Sequence, residues 1–163
     1  MRKVIVIGCP GSGKSTFSRA LHAATGLPLH HLDRMYWNVD GTEAPKSAFM
    51  ERLRWALAGE SWIIDGNYGS TMEMRMELCD TVFFLDYPLD VCMDGIKSRR
   101  GRERTDMPCV LPEDDDDEFI EFISSYNSVS RPAVMELLRK YAHKRIHIFK
   151  DRSEADEFLS QIG

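Results

Sequence analysis

The chain is predicted to have an α/β fold with a parallel sheet covered by helices on both faces. Short apolar runs, beginning with Val4–Ile7, alternate with segments whose apolar residues recur at helical spacing. The runs are almost continuously apolar, as is typical of strands buried on both sides. A glycine-rich loop directly follows the first run. With 163 residues, 43% of them hydrophobic, the chain is expected to form one domain over residues 1–163.

The first third of the chain predicts a strand, a helix and a second strand. Val4–Ile7 is β-branched throughout, as buried strands are. Lys14–Ala24 has apolar residues on one helical face and is ended by Gly26. Leu27–Leu32 is a weaker strand, and Asp33 follows it directly.

The middle of the chain predicts a helix, the third strand and a short helix. About Pro45–Ala58 reads as a helix, because proline is accepted in the first turn and Gly59 can end it. Trp62–Ile64 is a strand that stops at Asp65, and Ser70–Leu78 reads as a short helix.

The remaining elements continue the alternation. Thr81–Leu85 is the clearest strand, closed by the turn Asp86-Tyr87-Pro88, and a helix runs from Pro88 to about Ser98. Beyond it we expect, in order, helices near Glu113–Ser124 and Arg131–Ala142, a strand at Arg145–Phe149, and a terminal helix that begins at a capping box of Ser153 with Asp156 and ends near Gln161.

The loop after the first strand fits the pattern G-x-x-x-x-G-K-[ST] of a phosphate-binding loop, or P-loop. Its glycines let backbone N–H groups surround a phosphate, Lys14 can reach the outer phosphates, and Ser15 can offer its hydroxyl to Mg²⁺. The sequence therefore predicts binding of a nucleoside triphosphate with Mg²⁺. The residues expected to hold it are Gly8, Cys9, Pro10, Gly11, Ser12, Gly13, Lys14, Ser15 and Thr16.

Carboxylates follow three of the other predicted strands, where ligands of parallel sheets bind. Asp65 can hold a water molecule bound to the Mg²⁺ ion that the Ser15 hydroxyl also binds. The alternative is that Asp65 is a turn residue ahead of Gly66. Asp33 can align and deprotonate an acceptor hydroxyl; the alternative is a cap of a helix or turn. Asp86 is expected on the same rim.

An arginine-rich segment, about residues 99–112, is predicted to be a lid. Arg99, Arg100 and Arg104 are candidates, together with Lys14, to neutralise charge on a phosphoryl group in transfer. Because its like charges repel, we expect the lid to stay open until a polyanion draws it closed. A solvated loop is the alternative. The acidic block 113–118 is read as the charged first turn of the next helix.

Three further arginines are candidates for gripping an anionic acceptor: Arg34, Arg75 and Arg131. The aromatic residues Tyr36, Trp37 and Tyr68 could stack on a base or sugar, with core packing as the alternative.

Composition argues against several other classes of protein. The net charge is −5 and basic residues are concentrated in one short segment, so direct nucleic-acid binding is not expected. The four cysteines form no C-x-x-C pair, which argues against a zinc site or disulfide framework. No long apolar run is present, and we expect a cytoplasmic protein without membrane association. Composition leaves the oligomeric state open.

The whole pattern resembles the adenylate kinase-like and shikimate kinase-like group of P-loop kinases. More narrowly, it resembles the topology modulation protein family, also described as FlaR-like or adenylate kinase-related. The motifs that carry this likeness are His31-Leu32-Asp33-x-x-Tyr36-Trp37, Trp62-Ile63-Ile64-Asp65-Gly66-Asn67-Tyr68-Gly69, Phe84-Leu85-Asp86-Tyr87-Pro88 and Arg131-Pro132. The resemblance implies a three-layer P-loop fold with five parallel strands in the order 2-3-1-4-5, and ATP with Mg²⁺.

The chain also departs from these families after its third strand. Adenylate kinases carry Gly-Phe-Pro-Arg there and shikimate kinases a run of three glycines, whereas this chain has Gly66-Asn67-Tyr68. Two functions are therefore carried forward. One is a phosphotransferase acting on a small molecule, possibly a nucleotide or nucleoside. The other is a nucleotide-dependent regulatory protein associated with DNA topology, without a small-molecule acceptor.

Overall fold

The chain forms a five-stranded parallel sheet in the order β2-β3-β1-β4-β5. The structure is a computed structural model that describes residues 1–109 and 117–163; at residues 117–119 it describes the backbone only. The strands are β1 Lys3–Gly8, β2 Leu29–His31, β3 Trp62–Asp65, β4 Thr81–Leu85 and β5 Arg145–Phe149. The predicted fold class and strand order are confirmed.

The described helices cover both faces of this sheet. They are α1 Lys14–Thr25, α2 Leu32–Tyr36, α3 Lys46–Leu57, α4 Gly69–Leu78, α5 Leu89–Arg99, α6 Asp117–Lys140 and α7 Arg152–Ile162. Alternate residues of β1 point to opposite faces: Ile5 and Ile7 pack against one core cluster, and Val4 and Val6 against the other. The helices therefore bury two separate apolar layers.

The prediction of two helices after the lid is wrong, because a single helix, α6, runs through Pro132. A proline inside a helix costs about 3 kcal/mol. Burial of both halves offsets this cost: Ile123 lies in the core on one face of the sheet, while Val134 and Leu138 lie in the core on the other. Residues 113–116 of the first predicted helix, and 110–112 of the predicted lid, lie outside the described residues.

Two other element boundaries differ from the prediction. The second strand stops at His31, and α2 begins at once because Leu32 and Met35, three residues apart, are both buried on its inner face. Asp33 therefore lies in the first turn of a helix. The last helix begins at Arg152, not at a Ser153 cap, since the side chain of Asp151 accepts the backbone N–H of Glu154 at 3.0 Å.

Candidate active site

The P-loop joins the buried end of β1 to the first turn of α1. Gly11 and Gly13 have φ angles of 83° and 93°, a region that favours glycine. A Cβ on Gly11 would lie 2.0 Å from the backbone oxygen of Cys92 in α5, and a Cβ on Gly95 would lie equally close to the Gly11 oxygen. The loop is therefore held by direct backbone packing against α5, and Gly95 is a packing residue inside this helix.

The polar groups of the loop suit a polyphosphate. Gly13 provides no side-chain cap for α1, so the first N–H groups of this helix are left for an anion. The ammonium of Lys14 lies across the loop, 3.0 Å from the Gly8 oxygen and 3.1 Å from the Cys9 oxygen. Burial lowers the pKa of Lys14, and the carboxylates of Asp65 and Asp33 oppose this shift. The buried Ser12 hydroxyl has no hydrogen-bond partner among the described residues.

Asn67 fixes the loop from the neighbouring strand. Its side-chain oxygen accepts the Gly8 N–H at 3.2 Å, and its side-chain nitrogen donates to the Gly8 oxygen at 2.7 Å. This double contact spans 59 residues of sequence and ties the segment after β3 to the beginning of the P-loop. The residue that distinguishes this chain from adenylate kinases thus has a structural partner in the phosphate site.

The two predicted functional carboxylates lie in the cavity that the P-loop opens onto. Asp65 is 4% exposed, and its Oδ2 accepts a hydrogen bond from His31 Nδ1 at 2.8 Å. Asp33 is half-buried; its Oδ1 accepts the Tyr68 hydroxyl at 2.6 Å, and its Oδ2 lies 3.6 Å from the Arg104 guanidinium. Burial raises the pKa of Asp33, while Tyr68 and Arg104 act in the opposite direction. Such a carboxylate is better suited to accept a proton than a solvated one.

Tyr68 has an unusual backbone for its residue type. Its φ is 38°, the one positive value at a non-glycine residue among those described. Strained backbone of this kind is concentrated at functional sites. The guanidinium of Arg75 lies below it and donates to the backbone oxygens of Gly66, Asn67 and Tyr68. The turn that presents the Tyr68 hydroxyl to Asp33 is therefore held from the protein interior.

The described part of the predicted lid, residues 99–109, contacts α1 and α2. Arg19 donates to the Thr105 hydroxyl at 2.7 Å, and Arg34 donates to the Thr105 oxygen at 2.6 Å. Arg104 pairs with Asp106 at 2.7 Å, so the counter-charge expected only from a bound polyanion is already present within the lid. The reasoning that like charges hold the lid open is wrong for Arg104, because it overlooked this carboxylate two residues away.

The cavity has a volume of about 1250 Å³, enough for a nucleotide and a small second molecule. Its polar lining includes Lys14, Ser15, Asp33, Asp65, Arg99 and Arg104, as well as Pro10, Gly11, Gly13 and Thr16 of the P-loop. Most of the predicted donor-site residues are thus brought together. Cys9 and Ser12 are buried beneath the loop, and Arg100, the residue that follows α5, lies outside the lining.

The three arginines predicted to bind an acceptor lie outside this cavity. Arg75 is 0% exposed and bonds to backbone oxygens, and Arg34 bonds to the lid. Arg131 is not at a helix start but within α6, where it pairs with Asp86 through two hydrogen bonds of 2.7 and 2.8 Å. Lys150 reaches the same carboxylate at 2.5 Å. Asp86 therefore lines a separate cavity of about 390 Å³ and does not join the rim of the main one.

The α6 helix contributes a largely apolar part of the lining of the main cavity. Phe122 and Val129 are 46% and 68% exposed, although both are apolar. They line the cavity together with Trp37, Tyr68 and Met72; the other α6 residues of the lining are Tyr126, Ser130, Ala133, Val134 and Leu137. The helical spacing of these residues could have been read from the sequence, but the break expected at Pro132 hid it.

The described residues contain neither a preformed metal cluster nor a membrane-spanning helix. No group of three or more histidine, cysteine, aspartate or glutamate residues is placed to hold a metal ion. A kinase-type Mg²⁺ site needs fewer, because substrate phosphates and waters complete its shell. Within 1–109 and 117–163, none of the helices has the length and apolar character needed to cross a bilayer.

The fold is similar to that of solved structures of shikimate kinases. A shikimate kinase from Acinetobacter baumannii, in complex with shikimate, aligns with a TM-score of 0.64 at 14% identity, covering 99% of this chain and 90% of that one. The enzyme from Bacteroides thetaiotaomicron aligns with a TM-score of 0.55 at 21% identity, covering 98% and 94%. This is the P-loop fold of the shikimate kinases. No protein-family model matches the chain, and no curated protein has a significantly similar sequence.

Sequence reasoning missed three polar residues of the site: Asn67, Asp106 and the phenol of Tyr68. Asn67 and Tyr68 belong to the motif Trp62–Gly69, which runs from β3 into α4. Their position in this motif indicated that they lie near the site, but it did not reveal which groups they contact. Asp106 is the only aspartate in residues 99–109, a segment rich in arginine. A negative charge among these positive ones was the signal that could have pointed to Asp106.

Proposed function

We propose that the protein is an ATP-dependent phosphotransferase that acts on a hydroxyl group of a small molecule. The observation that carries this proposal is that Asp33 lies in the same cavity as the P-loop, held by Tyr68 and facing Arg104. A protein that only bound and hydrolysed ATP would not need a second carboxylate in this cavity in addition to Asp65. The likeness to shikimate kinases supports the fold that this chemistry requires.

The chemistry follows from the positions of these side chains. Asp33 would take the proton of the acceptor hydroxyl as its oxygen bonds to the terminal phosphorus, and the bond from that phosphorus to ADP would break. Lys14 and Arg104 are placed to meet the charge on the transferring group, while Arg99 lines the same cavity. Mg²⁺, when bound near Ser15 and Asp65, would supply further neutralisation of the phosphate oxygens.

We further propose that the acceptor is a neutral alcohol carrying a ring, such as a nucleoside. The lining of the cavity that holds Asp33 also includes Trp37, Met72 and the exposed apolar residues of α6. The arginines considered for an anionic acceptor are engaged elsewhere, with Arg131 paired to Asp86 and Arg75 bonded to backbone oxygens. An apolar wall favours ring stacking over recognition of a phosphate or carboxylate.

An acceptor panel tests both parts of this proposal. Release of ADP from ATP is measured with neutral nucleosides, nucleoside monophosphates and shikimate, the ligand of one similar enzyme. We expect neutral nucleosides to stimulate release most, and we expect Asp33→Asn to remove the stimulation while ATP binding is kept. Preference for an anionic acceptor would contradict the assigned class. Stimulation that survives Asp33→Asn would contradict the assigned role of this carboxylate.

The narrower resemblance to topology modulation proteins stays a prediction. None of the contacts described above favours a regulatory role in DNA topology over phosphoryl transfer, so that alternative is not developed as a second function. It has a direct test, which is given among the predictions below.

A further inference from the structure

One carboxylate of the lid is turned into the P-loop. Asp106 is 6% exposed, whereas its lid neighbours Glu103 and Thr105 are exposed. Its Oδ2 accepts a hydrogen bond from the Ser15 hydroxyl, with 2.8 Å between the two oxygens, across 91 residues of sequence. Arg104 holds both carboxylate oxygens, with Nε 3.2 Å from Oδ1 and a terminal nitrogen 2.7 Å from Oδ2.

The contact decides how Ser15 can bind a cation. A serine hydroxyl has one proton and two lone pairs, and only a lone pair can face Mg²⁺. The proton must then go to an acceptor on the other side. Asp65, the carboxylate expected to complete this site, gives its Oδ2 to His31. Asp106 is the side chain to which Ser15 donates in this structure.

We propose that Asp106 is a lid-borne carboxylate of the magnesium site, which accepts the hydrogen bond of the Ser15 hydroxyl and thereby turns a lone pair of this hydroxyl towards the cation. The inference rests on the nucleotide site of the proposed function but not on the identity of the acceptor. It assigns to the lid a part in binding the metal, in addition to its arginines.

The same contacts connect the metal site with the acceptor carboxylate. Arg104 bonds to Asp106 and lies 3.6 Å from Asp33, which in turn accepts the Tyr68 hydroxyl. When Asp106 contacts Ser15, the positively charged guanidinium of Arg104 is therefore also brought close to Asp33. Metal binding and placement of the transfer machinery are expected to occur together.

The test measures cation binding directly, without turnover. Free Mn²⁺ is followed by electron paramagnetic resonance in the presence of a non-hydrolysable ATP analogue, for the wild type and for Asp106→Ala. Because partners of metal ligands commonly contribute 10–100-fold to affinity, Mn²⁺ binding should weaken by roughly that factor. Affinity for the analogue in EDTA should change little. Asp94→Ala, which removes the same side chain from an exposed position of α5 outside the cavity lining, is the matched control and should leave both affinities unchanged.

A mutant cycle separates orientation of Ser15 from general closure of the lid. Ser15→Ala and Asp106→Ala should each weaken Mn²⁺ binding, and the double variant should be little worse than Ser15→Ala alone, because Asp106 is expected to act through the Ser15 hydroxyl. Additive losses, an equal loss in EDTA, or no loss for Asp106→Ala would each overturn the inference and leave the proposed phosphotransferase standing. Failure of the wild type to bind the analogue in the presence of Mg²⁺ would overturn both. Lack of turnover with every acceptor would affect only the proposed function.

Discussion

Arg75 offers the sharpest test of how the site is built, because sequence and structure assign it different roles. Its guanidinium is fully buried and donates to the Gly66 oxygen at 3.0 Å and, at shorter range, to the Asn67 oxygen. Burial lowers its pKa to about 10, so the group is still charged at neutral pH. Arg75→Met keeps the apolar stem and removes the charge and its hydrogen bonds.

The expected loss of stability is large. The two shorter of its hydrogen bonds, to the Gly66 and Asn67 oxygens, contribute about 3–6 kcal/mol because the donor is charged; relief from burying the charge opposes this, which leaves about 2–4 kcal/mol. For a chain of this size, such a loss lowers the melting temperature by roughly 5–15 °C. Urea unfolding measures the free energy, and calorimetry measures the melting temperature. Transfer activity should fall as well, since the Tyr68 turn loses its support.

The exposed Arg34→Met is the matched control for this experiment. Arg34 donates one hydrogen bond to the lid, and its loss should cost about 1 kcal/mol or less. If Arg75→Met left the free energy of unfolding unchanged but raised the KM for the acceptor, then Arg75 would reach the acceptor and the structural role argued above would be refuted.

The remaining predictions concern catalysis and binding. Lys14→Ala should weaken ATP binding measured by calorimetry and leave the melting temperature near that of the wild type; unchanged affinity would exclude the phosphate site. Asp33→Asn should abolish transfer while ATP binding is kept, whereas Asp65→Asn should weaken the Mg²⁺ dependence of binding, and identical behaviour of the two would contradict their separate roles. Tyr68→Phe should shift the acid limb of the pH–rate profile to higher pH. The Tyr68 hydrogen bond lowers the pKa of Asp33, so its loss raises this pKa, and the base acts only when ionised. An unmoved limb would mean that Asp33 is not the base. Duplex DNA should bind weakly at about 0.15 M salt, and sub-micromolar affinity that falls steeply with salt would revive the regulatory alternative.

Much of the fold could be predicted because its signals are local. The strands β1, β3, β4 and β5 are short apolar runs whose character depends only on neighbouring residues. The α6 helix could not, because its continuity through Pro132 depends on burial at both ends against different cores. Local propensity predicts a break there, and tertiary packing overrides it.

The candidate site divides in the same way. The sequence by itself determined the P-loop, since β1, the glycine turn and the first turn of α1 are consecutive and their geometry follows from residue type. It also placed Asp33 and Asp65 at the ends of parallel strands, which must open at one edge of the sheet. Only the tertiary structure decided which side chains meet there. Asp106 reaches Ser15 across 91 residues, and Arg75 turns inward to backbone oxygens, because direction and burial depend on packing between segments that no local pattern records.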